Sequence, residues 1–200
     1  MTKEEHSWDL SLQIHTTGRD ESGADAYHHP YEPTPYSVLE RLADSGLIQS
    51  GDTVLDYGCG KGRVDFFLPQ RTKAKTIGIE YDWKIYIAAL ENQRSAVTGS
   101  DAEFILTNAE DYEVPACVNR CYFFNPFSVE ILRKVMARLT ESYYETPREI
   151  LLFFYYPADE YVAYLMSVDE VDFYDEIDCC DLFPGNDPRE RILIFSLNLY

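Results

Sequence analysis

From residue 53 onward, apolar and polar positions fall into two alternating rhythms. Unbroken apolar-rich runs stand at residues 53–57, 76–80, 103–106, 121–124 and 149–156. Runs of that length suit strands covered on both faces of a sheet. Between them, apolar positions recur at helical spacing. One such stretch covers residues 64–68, and a second carries Ile85, Ile87, Ala88, Ala89 and Leu90 behind Asp82, a capping residue. A third sets Ile131, Leu132, Val135, Met136 and Leu139 on one side after Ser128, and a fourth is predicted around 159–166. Ahead of these, Val38, Leu39, Leu42 and Ala43 form a stripe that stops at Gly46, with Thr34 placed to cap it and Pro35 in its first turn.

The last two strand-like runs, 171–177 and 191–197, are joined through Phe183-Pro184-Gly185-Asn186. That connection has no room for a crossover helix, so the two strands pair antiparallel. The pattern predicts an α/β fold: a doubly wound, mostly parallel sheet of seven strands with a C-terminal antiparallel hairpin. Ligands are then expected at the carboxyl ends of the strands, near the switch in strand order. Residues 31–200 form one domain on this reading. Residues 1–30 are polar, carry Gly18 and Gly23 and lack sustained periodicity, which predicts a flexible arm.

Composition narrows the class. No apolar run approaches the roughly 20 residues of a membrane span, and the polar start has no signal-peptide organisation, so a cytosolic protein is expected. The net charge is −18, from 17 Lys plus Arg against 35 Asp plus Glu. Such a surface repels phosphate backbones, which makes nucleic acid a less favoured partner. The charge is uneven: residues 169–181 hold seven carboxylates and no Lys or Arg, either a solvated face or an attraction for a cationic partner. Lys61, Arg63, Arg71, Lys73 and Lys75 form a basic run, read as solvated helix and loop, with phosphate contact as the alternative. Five cysteines without CxxC spacing argue against a disulfide framework or a zinc site, and no metal is expected.

The chemistry concentrates in Val54-Leu55-Asp56-Tyr57-Gly58-Cys59-Gly60-Lys61-Gly62-Arg63-Val64. Glycines spaced GxGxG let the chain bend sharply after a strand and approach a ligand closely. A dinucleotide fingerprint would need glycine where Arg63 stands. The stretch instead resembles motif I of the class I, Rossmann-like S-adenosylmethionine (SAM)-dependent methyltransferases. That resemblance implies SAM as cofactor, Gly58, Gly60 and Gly62 under its methionine part, and Asp56 orienting its amino group. Glu80 ends the next strand, where a carboxylate with two oxygens can accept both hydroxyls of a cis-diol. Asn108 stands where the family often reads the adenine amino group, with Asp111 as a competing candidate.

Asn125-Pro126-Phe127 resembles the (D/N/S)PP(Y/F) signature of amino-methylating members, with one proline instead of two. There the Asn125 oxygen and Pro126 carbonyl would accept the two N–H bonds of an amine and aim its lone pair, while Phe127 stacks on the acceptor. Tyr31-Glu32-Pro33-Thr34-Pro35-Tyr36-Ser37 adds a distant similarity to the non-SET histone-lysine methyltransferases. It implies that Tyr31 and Thr34 lie across SAM as a lid, a role compatible with Thr34 as a helix cap. Tyr155 and Tyr156 are read as rim packing, and His28 and His29 as surface residues of the arm, with a catalytic base as the alternative.

These readings converge on in-line methyl transfer from SAM to a nitrogen of a protein side chain or small amine. A nucleic-acid amino-methyltransferase, a non-catalytic SAM-binding module and a nicotinamide-dependent oxidoreductase are the alternatives.

Overall fold

The computed structural model describes residues 3–21, 27–97 and 102–197. The chain runs α1 (Lys3–Leu12), α2 (Tyr36–Asp44), β1 (Thr53–Tyr57), α3 (Arg63–Thr72), β2 (Lys75–Glu80), α4 (Trp83–Ser95) and β3 (Ala102–Leu106). It continues with β4 (Arg120–Phe123), α5 (Val129–Glu145), β5 (Leu151–Tyr155), α6 (Asp159–Leu165), β6 (Val171–Asp178) and β7 (Arg191–Leu197). The seven strands form one sheet in the order β3-β2-β1-β4-β5-β7-β6. All pairs from β3 to β5 are parallel, and β7 runs antiparallel to both β5 and β6. No helix among the described residues is long and apolar enough to cross a membrane.

The apolar runs are unbroken because helices cover both faces of the sheet. Val54, Tyr122, Phe153 and Ile194 enter one core layer; Leu55, Cys121, Phe123, Phe154 and Phe195 enter the other. In the second layer, Tyr57 stacks on Phe123 at 4.7 Å and Phe123 on Phe154 at 4.5 Å, an aromatic ladder across β1, β4 and β5. The Asp82 cap forms as expected: its Oδ1 accepts from Lys84 N at 2.7 Å and Ile85 N at 3.1 Å. Thr34 does not cap α2. Pro35 occupies that position, and the Thr34 hydroxyl is drawn inward to Tyr122 Oη at 2.9 Å.

The arm departs from expectation. Residues 1–2 and 22–26 lie outside the described residues, but 3–21 are docked against the sheet domain. Leu12 and Ile14 are buried, and Trp8 packs on Tyr36 and edge-on against Phe67. The rest of the contact is polar, made of hydrogen bonds such as Tyr36 Oη to Asp9 Oδ1 at 2.6 Å and His15 N to Asn92 Oδ1 at 2.8 Å together with an ionic cluster. Arg63, only 2% exposed, ion-pairs with Glu5 and Asp9 and donates from Nε to Thr16 Oγ1 at 2.7 Å. A docking face made largely of charges aimed at one buried guanidinium leaves no hydrophobic period to detect. The basic run is corrected with it: Arg63 is internal, and Arg71 pairs with Asp44 at 2.8 Å.

Candidate active site

A cleft opens where the strand order reverses, at the carboxyl ends of β1 and β4. It encloses about 900 Å³, counting its open mouth. The bend after β1 is its floor, residues 28–34 form a strap along one side, and Phe124, Pro126 and Phe127 line another.

Backbone N–H groups of Gly58 and Cys59 both donate to Ile79 O at 3.0 Å, tying the bend to β2. Gly58 has φ +71°, and a Cβ there would stand 2.5 Å from Pro126 Cβ. At Gly60, φ is +58° and the Tyr31 ring lies 2.1 Å from where a Cβ would be. Of the three glycines expected at the ligand, Gly58 alone lines the cleft. Gly60 is roofed by Tyr31, and Gly62 abuts Phe104. Tyr31 stands beside the cleft, with its hydroxyl donating to Thr16 O.

Three acidic groups lie beneath this floor. Asp56 lines the cleft and is 3% exposed; burial, with Glu80 nearby, raises its carboxyl to about 7. Behind it, Asp65 is fully buried, and its carboxyl is pushed up by burial and by Asp56. Neither Asp65 oxygen has a hydrogen-bond partner among the described residues, which favours the neutral form of this buried carboxyl. Glu80 is held by backbone amides: Oε1 accepts from Tyr81 N and Asp82 N, each at 2.9 Å, and Oε2 from Gly60 N at 3.0 Å. Burial raises the Glu80 carboxyl, and those three amides oppose the rise. Oε2 retains a lone pair, one acceptor where two were expected for a diol.

Arg63 also reaches the cleft wall. Its Nη1 donates to Thr34 O at 3.0 Å, while Nη2 is buried without a hydrogen-bond partner. An orphaned guanidinium N–H is costly unless a ligand completes it. Sequence reasoning missed this residue because its partners lie 29 to 58 positions away. It likewise missed Tyr122, Phe124 and Tyr81 in the lining.

Other expected roles are displaced. Asn108 is exposed and outside the lining; its amide donates to Asp111 Oδ2 at 3.0 Å, and Thr107 and Ala109 face the cleft instead. The Phe127 ring is packed among Tyr57, Phe123 and Tyr161 and is 3% exposed, so it meets the cleft by an edge while most of it belongs to the core. The Asn125 oxygen accepts from Ala158 N at 3.0 Å and its amide donates to Tyr156 O. The Pro126 carbonyl accepts from His29 N at 3.2 Å. These pairings staple the turns after β4 and β5 to the strap and use the acceptors intended for an amine. Asn125→Ala is therefore expected to lower stability by about 2 kcal/mol through two lost hydrogen bonds, read as a lower thermal midpoint; an unchanged midpoint means the staple is idle.

The two histidines are less peripheral than expected. The His28 ring stacks on Tyr81 at 3.7 Å, and both His28 and His29 line the cleft. The His29 Nδ1 lies 2.7 Å from Asn125 O and must be the donor, since a carbonyl only accepts.

No family model matches the sequence. A protein-lysine N-methyltransferase from Saccharolobus islandicus (strain REY15A) is 34% identical over 74 residues, 36% of this chain. The match spans 46% of that relative's length. Among solved structures, a SAM-dependent methyltransferase from Aquifex aeolicus superposes with a TM-score of 0.60 at 14% identity, covering 79% of this chain and 88% of its own. A TehB-like methyltransferase from Corynebacterium glutamicum gives 0.58 at 14% identity, over 89% and 91% of the two chains. An RNA methyltransferase from Salinibacter ruber, solved with S-adenosyl-L-homocysteine, gives 0.57 at 16% identity, over 84% and 95%. The strand order with its reversed seventh strand, the bend after β1 and these likenesses identify the fold as that of the class I, Rossmann-like SAM-dependent methyltransferases.

Proposed function

We propose that this protein is a SAM-dependent methyltransferase acting on a nitrogen of a protein side chain or small amine. One observation carries the reading: the cleft is lined by both a buried carboxyl, Asp56, and a buried guanidinium with an unused N–H, Arg63. A buried carboxyl beside a guanidinium that is ion-paired with Glu5 and Asp9 yet keeps one N–H without a hydrogen bond fits the zwitterionic end of an amino acid, with Asp56 taking the ammonium and the spare Arg63 N–H the carboxylate. On this reading the remaining lone pair of Glu80 Oε2 meets a sugar hydroxyl, and Gly58, which lines the cleft without a side chain, leaves room for the ligand. SAM, when bound, supplies a sulfonium methyl that passes to the acceptor nitrogen's lone pair, the C–S electrons staying on sulfur and the acceptor's proton leaving to solvent.

The acceptor class rests on charge. At −18 overall, the molecule favours a cationic partner over a phosphate backbone. The match to a protein-lysine N-methyltransferase supports the same choice, while the RNA methyltransferase likeness is one of fold. All five cysteines are free, which supports a reducing, cytosolic setting.

Calorimetric titration with SAM and with its demethylated by-product tests the cofactor, and a lysate assay with labelled SAM, split into protein, nucleic-acid and small-molecule fractions, tests the acceptor. The titration also carries a pH signature. Asp56, raised to about 7, holds a proton below that pH which the ligand's ammonium must displace. Affinity is expected to fall about tenfold per pH unit from 7 to 5.5, and Asp56→Asn to abolish the slope. No binding at any pH rejects the methyltransferase reading; a flat wild-type profile removes Asp56 from the ammonium site.

A further inference from the structure

A second groove lies on the other side of the strap. Its walls include Arg19, Glu32, Phe124, Tyr156, Phe183 and Glu190. His29, Pro30, Glu32 and Phe124 belong to both cavities, so they form the partition between them. We infer that this groove receives the methyl acceptor as a primary alkylammonium, with Glu32 and Glu190 taking its charge and the aromatic side chains flanking its aliphatic stem; the ammonium releases one proton to solvent before its nitrogen lone pair takes the methyl. The inference deepens the methyl-transfer reading and rests on it for the role of the neighbouring cleft.

Charge on the groove walls selects the occupant. Glu32 makes no hydrogen bond or ion pair among the described residues, an unspent carboxylate at the partition. Glu190 accepts the Tyr155 hydroxyl at 2.6 Å through Oε2, and Oε1 is left for a ligand. On the cationic side, Arg19 is already paired with Glu21 at 3.2 Å. The wall is therefore net acidic, hostile to phosphate and matched to an ammonium. Phe124, Tyr156 and Phe183 supply aromatic surface that flanks a methylene stem, one face of Tyr156 already carrying the Arg189 guanidinium at 4.6 Å.

The far wall is built to stay in place. Phe183 and Glu190 lie in the connection between β6 and β7, which Arg41 anchors to α2 by donating to Asp178 O at 2.7 Å and Asp181 Oδ2 at 2.9 Å. Tyr156, in the left-handed region at φ +46°, has its hydroxyl tied to Asp187 at 2.8 Å. The C-terminal hairpin thus contributes a specificity wall that the five parallel strands alone would lack.

The test is equilibrium binding by NMR with n-butylammonium, a lysine-containing tripeptide and its acetyl-lysine counterpart, on wild type, Glu32→Gln and Glu190→Gln. Wild type is expected to bind both cations, with shifts at Phe124, Tyr156 and Phe183, and to ignore the neutral peptide. Each substitution is expected to weaken binding about tenfold. Glu32 is exposed and unpartnered, so its variant keeps the wild-type melting temperature and a loss is not a folding defect. A tripeptide tighter than butylammonium identifies a protein acceptor, and equal affinities a free amine; both uphold the groove. Equal binding of the neutral peptide, indifference to both substitutions, or an oligonucleotide that shifts these resonances more strongly overturns it. SAM titration of the same samples separates the two readings: SAM binding without ammonium binding sinks this inference alone, and ammonium binding without SAM sinks the methyltransferase reading.

Discussion

Gly58→Ala is expected to destabilise the protein by about 2–5 kcal/mol and lower its melting temperature by about 5–15 °C. Two effects add. A side chain in the left-handed region, where Gly58 sits at φ +71°, costs about 1–2 kcal/mol. A Cβ 2.5 Å from Pro126 Cβ forces an overlap worth about 1–3 kcal/mol, because the neighbour is a proline ring held close to its backbone. Gly51→Ala is the control: at φ +103° with nothing within 4 Å of the added carbon, it carries strain without crowding. A Gly58 variant no worse than the Gly51 variant shows that the turn after β4 yields, and that close approach at this bend is not required. SAM affinity is expected to fall in the Gly58 variant as well, since Gly58 lines the cleft.

Glu80→Ala is expected to weaken SAM about 10- to 100-fold, the loss of a charged hydrogen bond to the ligand. The same substitution strips the acceptor from three backbone amides, those of Gly60, Tyr81 and Asp82. The bend that carries the glycines is therefore loosened, and stability falls with affinity. Glu80→Gln keeps one oxygen and separates the effects: a glutamine that restores the melting temperature but not SAM affinity shows that the carboxylate itself meets the ligand. Unchanged affinity in both variants places the sugar elsewhere.

Asp56 and Asp65 show how far the site was legible in the chain. Asp56 was singled out by its place two positions before a glycine bend, a local pattern. Its burial beside Asp65 is not visible in the sequence, because Asp65 reads as an ordinary first-turn helix carboxylate, favourable to the dipole of α3. Burial turns it into a group that holds a proton. Asn125 is the converse case. The sequence motif assigns its polar atoms to a substrate, yet the turn after β5, 31 to 33 positions on, supplies nearer partners in Tyr156 and Ala158. The strap shows the same thing: Tyr31 and Thr34 line the cleft, but the hydroxyl read as a helix cap serves Tyr122.

Sequence alone determined what depends on neighbours in the chain: the extent of β1, the Asp82 cap, the stripe of α5, the antiparallel final hairpin and the bend at Gly58. Those follow from periodicity, side-chain size and backbone freedom over a few residues. Tertiary structure decided what depends on distant partners. It inserted β7 between β5 and β6, turned the polar N-terminal segment into a docked helix around Arg63, withdrew Asn108 from the cleft, packed the Phe127 ring into the core beside it and exposed the acidic second groove. The physical reason is that a buried charge or a spare lone pair takes whichever complement folding brings within about 3 Å, and that complement is a property of the packed chain, not of its local pattern.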